Sequence, residues 1–137
     1  MISGIGVDLV DKARFISLVK KFGDRAATKN LSKDGCLEYK DISNKPSFLS
    51  KRFAAKEALS KALGVGLYRK GIYPKHISVK HNHLGKPFLS LSSELETIIN
   101  NHNMRIQLSI TDSDTQSIAF VVIESWVISK IILVIHL

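Results

Sequence analysis

Three residues of this chain have the types and the spacing that phosphate chemistry needs. Asp8 ends the glycine-bearing face of GIGVDLV, and Glu57 and Lys61 stand one helical turn apart in RFAAKEALSKALG, Arg52 to Gly64. Two carboxylates from different elements, with a lysine beside one of them, suit a Mg²⁺ ion carrying a phosphate. Magnesium takes one or two protein carboxylates and fills its other positions with water and phosphate oxygens. Each residue also has a plainer reading. Glu57 and Lys61 are spaced for a surface ion pair worth about 0.3–0.5 kcal/mol. Asp8 can equally be a strand-end acid or a helix cap.

Other stretches carry weaker chemical signals. In NHLGKP, Asn82 to Pro87, Gly85 permits a positive φ and Pro87 fixes the chain entering the next strand. Flat glycine and proline surfaces can lie against an adenine ring, and a plain hairpin turn explains the stretch as well. Ser109, Thr111 and Ser113 in SITDS can donate to phosphate oxygens or serve as strand-face and turn residues. His81 and His83 lack a third ligand at a recognisable metal spacing. No nucleophile motif supports a Ser/His/Asp triad. Arg14, Leu18, Lys21 and Arg25 form a basic stripe at i, i+4, i+7, i+11. On its own it reads as a solvated helix face.

The elements that must position these residues follow from periodicity. Residues 3 to 10 alternate as a strand, with Ile5, Val7 and Leu9 expected on the core face and Gly4, Gly6 and Asp8 on the other, where something can approach the backbone closely. Residues 11 to 27 read as one helix, with Phe15, Val19, Phe22 and Ala26 as its core stripe. A short helix is expected over 35–40 and a long one from about Ser47 to Leu63, ended by Gly64. On the long helix Phe48, Ala55, Leu59, Ala62 and Leu63 should cluster on one side, opposite Glu57 and Lys61. Strands are expected at 76–80 and 88–91, and a helix capped by Ser92 or Ser93 should run to about Asn103, with Ser93 and Glu96 fitting a capping box. Two more strands follow, at 105–111 with Ile106, Leu108 and Ile110 inward and at 118–125. The order β-α-α-α-β-β-α-β-β is α+β with a mostly antiparallel sheet.

The chain of 137 residues fits one domain, and hydrophobic and charged contents of 45% and 23% are those of a folded soluble protein. One cysteine, Cys36, excludes an intramolecular disulfide and fits a reducing cytoplasm. The N-terminus lacks the regions of a signal peptide. The segment WVISKIILVIHL, Trp126 to Leu137, is apolar but too short for a membrane helix, which needs about 20 residues. A buried strand or a subunit contact is expected there. A net charge of +8 suits nucleic acid, a membrane surface, an acidic protein or a polyphosphate ligand. A basic nucleic-acid-binding domain without enzymatic activity is therefore the alternative reading, although the aromatic residues are few and no aromatic-basic motif appears.

Taken together, GIGVDLV, Arg14, RFAAKEALSKALG, NxxGxP and SITD followed by AFVVIE resemble, in this order and spacing, the holo-[acyl-carrier-protein] synthase family, the small type of 4′-phosphopantetheinyl transferase. The resemblance spans residues 1–125 as one transferase domain and leaves 126–137 as an apolar C-terminal extension. It implies an antiparallel sheet wrapped around a long central helix. It implies transfer of the 4′-phosphopantetheine arm of coenzyme A to a serine of apo acyl carrier protein, in support of fatty acid biosynthesis. The serine hydroxyl would attack the β-phosphorus as adenosine 3′,5′-bisphosphate leaves. Asp8 and Glu57 would be the Mg²⁺ ligands, and Lys61 would help offset the growing charge. The base is left among Glu57, Asp8 and a metal-bound water. Arg52, Lys61, Gly85, Pro87, Ser109 and Thr111 would line the coenzyme A site, and Arg14, Leu18, Lys21 and Arg25 would dock an acidic carrier protein. The family's homotrimers, with active sites between subunits, are implied too. Two positions depart from the family pattern: Asp112 stands where a phosphate-facing histidine is usual, and Ser117 where alanine is usual.

Overall fold

The computed structural model of the chain describes residues 1–99 and 103–126. Strand β1 (Ile2–Asp11) leads into helices α1 (Lys12–Phe22), α2 (Arg25–Asn30), α3 (Lys33–Tyr39) and α4 (Lys45–Ala62). A single 3₁₀ turn, Pro74–His76, precedes β2 (Ile77–His81) and β3 (Pro87–Leu91), and then come α5 (Ser93–Ile99), β4 (Met104–Asp112) and β5 (Gln116–Ser125). The strands form two antiparallel sheets, one ordered β1-β5-β4 and the other the β2-β3 hairpin. The expected α+β class and antiparallel pairing hold. Apart from Trp126, the extension at 126–137 lies outside the described residues.

Helix α4 is the axis of the fold. The Asn44 side chain accepts from the Ser47 N–H at 3.2 Å, Pro46 occupies the first turn, and Gly64 follows the end with φ +76. These are the start and stop signals that the local sequence carries. The one-sided apolar face does not hold. Leu49, Ala54, Ala55, Ala58 and Leu59 are all fully buried, because the three-stranded sheet covers one side of α4 and α1 and α2 cover others. The small side chains of Ala54, Ala55 and Ala58 let those neighbours come close.

The orientation of β1 is the reverse of the expected one. Gly4 and Gly6 face α4, so tightly that a Cβ at Gly4 would sit 2.1 Å from the Ala62 carbonyl oxygen and one at Gly6 2.0 Å from that of Ala58. The close approach allowed by the glycines is thus by the chain's own helix. Ile5, Val7 and Leu9 point out and are 63%, 54% and 55% exposed, beside the outward Ile118 and Phe120 of β5. Alternation alone identifies the two faces but not which one is covered.

The expected single helix over 11–27 is two. Gly23, at φ +54, ends α1 and turns the chain into α2. Ala26 is buried as expected, but Phe22 is 41% exposed, because the break stops the helical stripe one residue beyond it. At α5 the cap is Ser92, whose Oγ accepts from the Leu95 N–H at 3.3 Å. With Ser93 already inside the helix, the Ser93–Glu96 box is out of register. Ile106, Leu108 and Ile110 pack on the core as the alternation of β4 requires.

Candidate active site

Asp8 and Glu57 come together. Asp8 shares its β1 face with the glycines and therefore leans toward α4, where Glu57 is half-buried between the buried Lys56 and Ala58. Both line a single cleft of about 430 Å³, with Arg14, Phe53 and the chain from Leu9 to Asp11. Lys61 does not pair with Glu57 on its own helix. Its Nζ donates to the Asp8 carboxylate at 3.0 Å and to the Val7 carbonyl at 2.9 Å. Among the described residues Glu57 takes part in no ion pair. Burial holds its carboxyl above the usual range, and Asp8 adds to the rise, while Lys61 and Arg14 oppose it. The two acids thus share one cleft with Arg14, and Lys61 is committed to Asp8.

The described residues contain no group of three or more His, Cys, Asp or Glu side chains placed to hold a metal. The two-carboxylate set still fits magnesium. One or two protein carboxylates are what that ion uses when water and phosphate complete its shell, and Asp8 and Glu57 line the same cleft.

The basic stripe leads away from this cleft. Arg14 stacks its guanidinium 4.7 Å from the Phe53 ring centroid, a cation–π contact that sets it between the cleft and the next depression. That depression, about 400 Å³, adds Leu18, Lys29, Asn30 and Tyr68 to Arg14, Phe53 and Glu57. A third, about 360 Å³, continues from Leu18 and Asn30 to Phe22 and Arg25. Shared lining residues make these one groove running from Glu57 along α1 and α2. Lys21 lies beside it, its ammonium 5.2 Å from the Phe22 ring centroid.

The other sequence-predicted site residues lie elsewhere on the protomer. Arg52 is buried, 3.4 Å by its Cζ from the Phe48 ring centroid and 3.1 Å by its Nη2 from Glu38. Gly85, at φ +82, forms the hairpin tip with Pro87, and the Asn82 side chain organises that tip by accepting from the Leu84 and Lys86 N–H groups at 2.9 Å. Ser109 and Thr111 point outward from β4 beside Phe120 and Ile118. None of these five lines the Asp8–Glu57 cleft.

The two departures from the family pattern have local partners. Asp112 accepts from the buried Lys12 ammonium at 2.7 Å, and that bond holds its carboxyl below the usual range. Ser117 is fully buried with its Oγ 2.8 Å from that of Ser50. Sequence reasoning missed Phe53 as a support for Arg14, and Lys29, Asn30 and Tyr68 as groove residues. Tyr68 alone had a signal, an aromatic in a glycine-rich loop. Its positive φ of 66 is uncommon for a residue with a side chain.

With this geometry in place, similarity to known proteins is informative. The sequence profile of the 4′-phosphopantetheinyl transferase superfamily matches residues 4–125. The chain belongs to that superfamily. It is 43% identical over 125 residues to the holo-[acyl-carrier-protein] synthase of Nitrosospira multiformis, covering 90% of this chain and 99% of that one. The crystal structure of the Neisseria meningitidis synthase superposes with a TM-score of 0.85 at 38% identity, over 91% of this chain and 100% of that one. The Bacillus anthracis synthase, solved in complex with coenzyme A (3′,5′-ADP), superposes with a TM-score of 0.76 at 33% identity, over 92% and 99%. The non-enzymatic nucleic-acid-binding alternative finds no support in these likenesses.

Proposed function

We propose that this chain is a holo-[acyl-carrier-protein] synthase that moves the 4′-phosphopantetheine arm of coenzyme A onto a serine of apo acyl carrier protein and releases adenosine 3′,5′-bisphosphate. One observation carries the reading: Asp8 of β1 and Glu57 of α4 line one cleft with Arg14, while Lys61 reaches the same carboxylate from the other side.

Asp8 and Glu57 would hold Mg²⁺, which when bound supplies Lewis-acid polarisation of the phosphoryl oxygens and neutralises their charge. Lys61 brings a mobile ammonium to the same acid, where it can follow negative charge as the nucleotide leaves. Glu57 and Asp8 are carboxylates of the cleft placed to accept the serine proton. Arg52, Gly85, Pro87, Ser109 and Thr111 are assigned to coenzyme A. They do not line the Asp8–Glu57 cleft within one protomer, so the reading requires sites completed between subunits. The exposed Ile5, Val7, Leu9, Ile118 and Phe120 give an apolar face for such an assembly, here assigned as a homotrimer. Arg14, Leu18, Lys21 and Arg25 would receive the acidic carrier along the groove on α1 and α2. Cytoplasmic fatty acid synthesis is the setting assigned. No helix among the described residues is long and apolar enough to cross a membrane.

Incubation with coenzyme A, Mg²⁺ and apo acyl carrier protein tests the reading. The expected result is a carrier heavier by one phosphopantetheine, formed only when Mg²⁺ is present. An unmodified carrier, with salt-sensitive RNA binding in its place, would overturn it.

A further inference from the structure

Lys56 precedes Glu57 in the central helix, and the chemistry above leaves it unused. It is 1% exposed. Its ammonium has no carboxylate partner among the described residues. Instead it donates to two backbone carbonyls, those of Asn30 at 2.8 Å and Pro74 at 3.0 Å. A buried cation without a counter-ion costs stability, and an apolar side chain of similar volume avoids that cost. The lysine is therefore explained by what its two bonds hold.

The Asn30 carbonyl belongs to a residue that lines the groove, and the Pro74 carbonyl to the segment that packs behind the groove residue Tyr68. Asn30 is the last residue of α2, where the helix dipole favours a cation. Its side-chain amide also ties back to the Ala26 carbonyl at 2.8 Å. Lys29 and Asn30 line the groove directly. Pro74 anchors the opposite wall: the ring of the preceding Tyr73 stacks edge-on against Tyr68, centroids 6.1 Å apart, and the Tyr68 N–H donates to the Ile72 carbonyl at 2.6 Å. Tyr68 faces the groove beside Glu57. Without the Lys56 ammonium, both carbonyls lose the one α4 side chain that, among the described residues, ties them to that helix.

We propose that Lys56 is a positioning residue for carrier recognition, setting both groove walls, through the Asn30 and Pro74 carbonyls, at a fixed place relative to Glu57. The proposal rests on the transferase reading above and extends it to a residue outside the chemistry. Burial lowers the Lys56 pKa to about 7. A neutral amine still has two N–H bonds for two carbonyls, so the tie persists on either side of that pH. Within one protomer Arg52, Gly85, Pro87, Ser109 and Thr111 line no part of this groove, so the effect of losing the tie is expected to fall mainly on the carrier.

Lys56→Met keeps the stem and removes the donors. With full-length protein, Mg²⁺ and both substrates, it should raise KM for apo acyl carrier protein about tenfold and leave KM for coenzyme A within about twofold. Amide hydrogen exchange should speed up in residues 25–31 and 65–76 and stay unchanged in α4 and the three-stranded sheet. Lys56→Gln, which restores one donor, should fall between Met and wild type, and it decides alone if the Met variant does not fold. An unchanged carrier KM, equal losses for both substrates, or faster exchange throughout the protein would overturn the proposal. If the wild type transfers nothing, the transferase reading fails, and exchange at 25–31 and 65–76 still decides whether Lys56 holds the walls.

Discussion

The Lys61 ammonium lies 3.0 Å from the Asp8 carboxylate and takes no part in an ion pair with Glu57, the acid one turn earlier on its own helix. A contact between strand and helix replaces the local pair that spacing alone favours. It links the two segments that carry the acids of the cleft, and it leaves Glu57 without an ion pair among the described residues.

Glu57→Gln should reduce transfer by at least about 100-fold while the fold survives. Its stability effect has a definite sign. The folded Glu57 carboxyl has a raised pKa, so its favourable contribution is present below its unfolded value and lost as pH rises through the folded one. As pH rises through the folded value the metal-free wild type loses it, and the glutamine variant has no such loss. Without Mg²⁺ the melting temperature of the wild type should therefore fall relative to that of the variant as pH rises, and added Mg²⁺ should raise the melting temperature of the wild type alone. Thermal melts with and without the ion check this. Transfer at the wild-type rate would remove Glu57 from the site.

The docking stripe should divide by distance from the acids. Arg25 lies at the far end of the groove and Arg14 inside the cleft with Asp8 and Glu57. Arg25→Glu should raise KM for the acidic carrier several-fold, with a weaker salt dependence than wild type and kcat nearly unchanged. Arg14→Glu should lower kcat as well. Steady-state kinetics with the carrier varied at two ionic strengths separates the two cases, and equal kcat losses in both variants would contradict the division.

Gly6→Ala places a methyl 2.0 Å from a backbone oxygen of α4. Neither partner is a flexible side chain that can swing away, so strand and helix must separate. We expect a loss of about 3 kcal/mol. Gly85→Ala meets no atom within 4 Å but keeps an unfavourable φ of +82, and about 1–2 kcal/mol is expected. Denaturant unfolding of both variants checks the order, which reverses if α4 does not press on β1.

If the outer sheet face joins subunits, Phe120→Glu should leave a monomer. Phe120 is 44% exposed on the outer sheet face, paired across the strands with Val7 and Ser109. A charge there opposes burial of the Ile5, Val7 and Phe120 surface. Light scattering should show a monomer, and transfer should fall with it if the site is completed between subunits. A full-sized, active assembly would place the contact elsewhere.

Much of this was legible along the chain. The central helix carries Asn44, Pro46 and Gly64 as local start and stop signals, and β1 and β4 show their alternation, because these patterns act over a few residues. Asp8 and Glu57 stood out as a candidate pair from residue type and motif, and the fold brings both to one cleft. Less legible was the break at Gly23, where one glycine competes with an apolar stripe that runs on through it and leaves Phe22 outside.

What the amino-acid order determined by itself is which side chains share a strand face or a helix turn, since those follow from fixed backbone periods. Which β1 face is covered, which acid Lys61 chooses, and that Lys56 bonds two distant carbonyls were decided only when α4 came to rest against Gly4 and Gly6. Burial and long-range pairing depend on what packs across the element, and no period within the element records that.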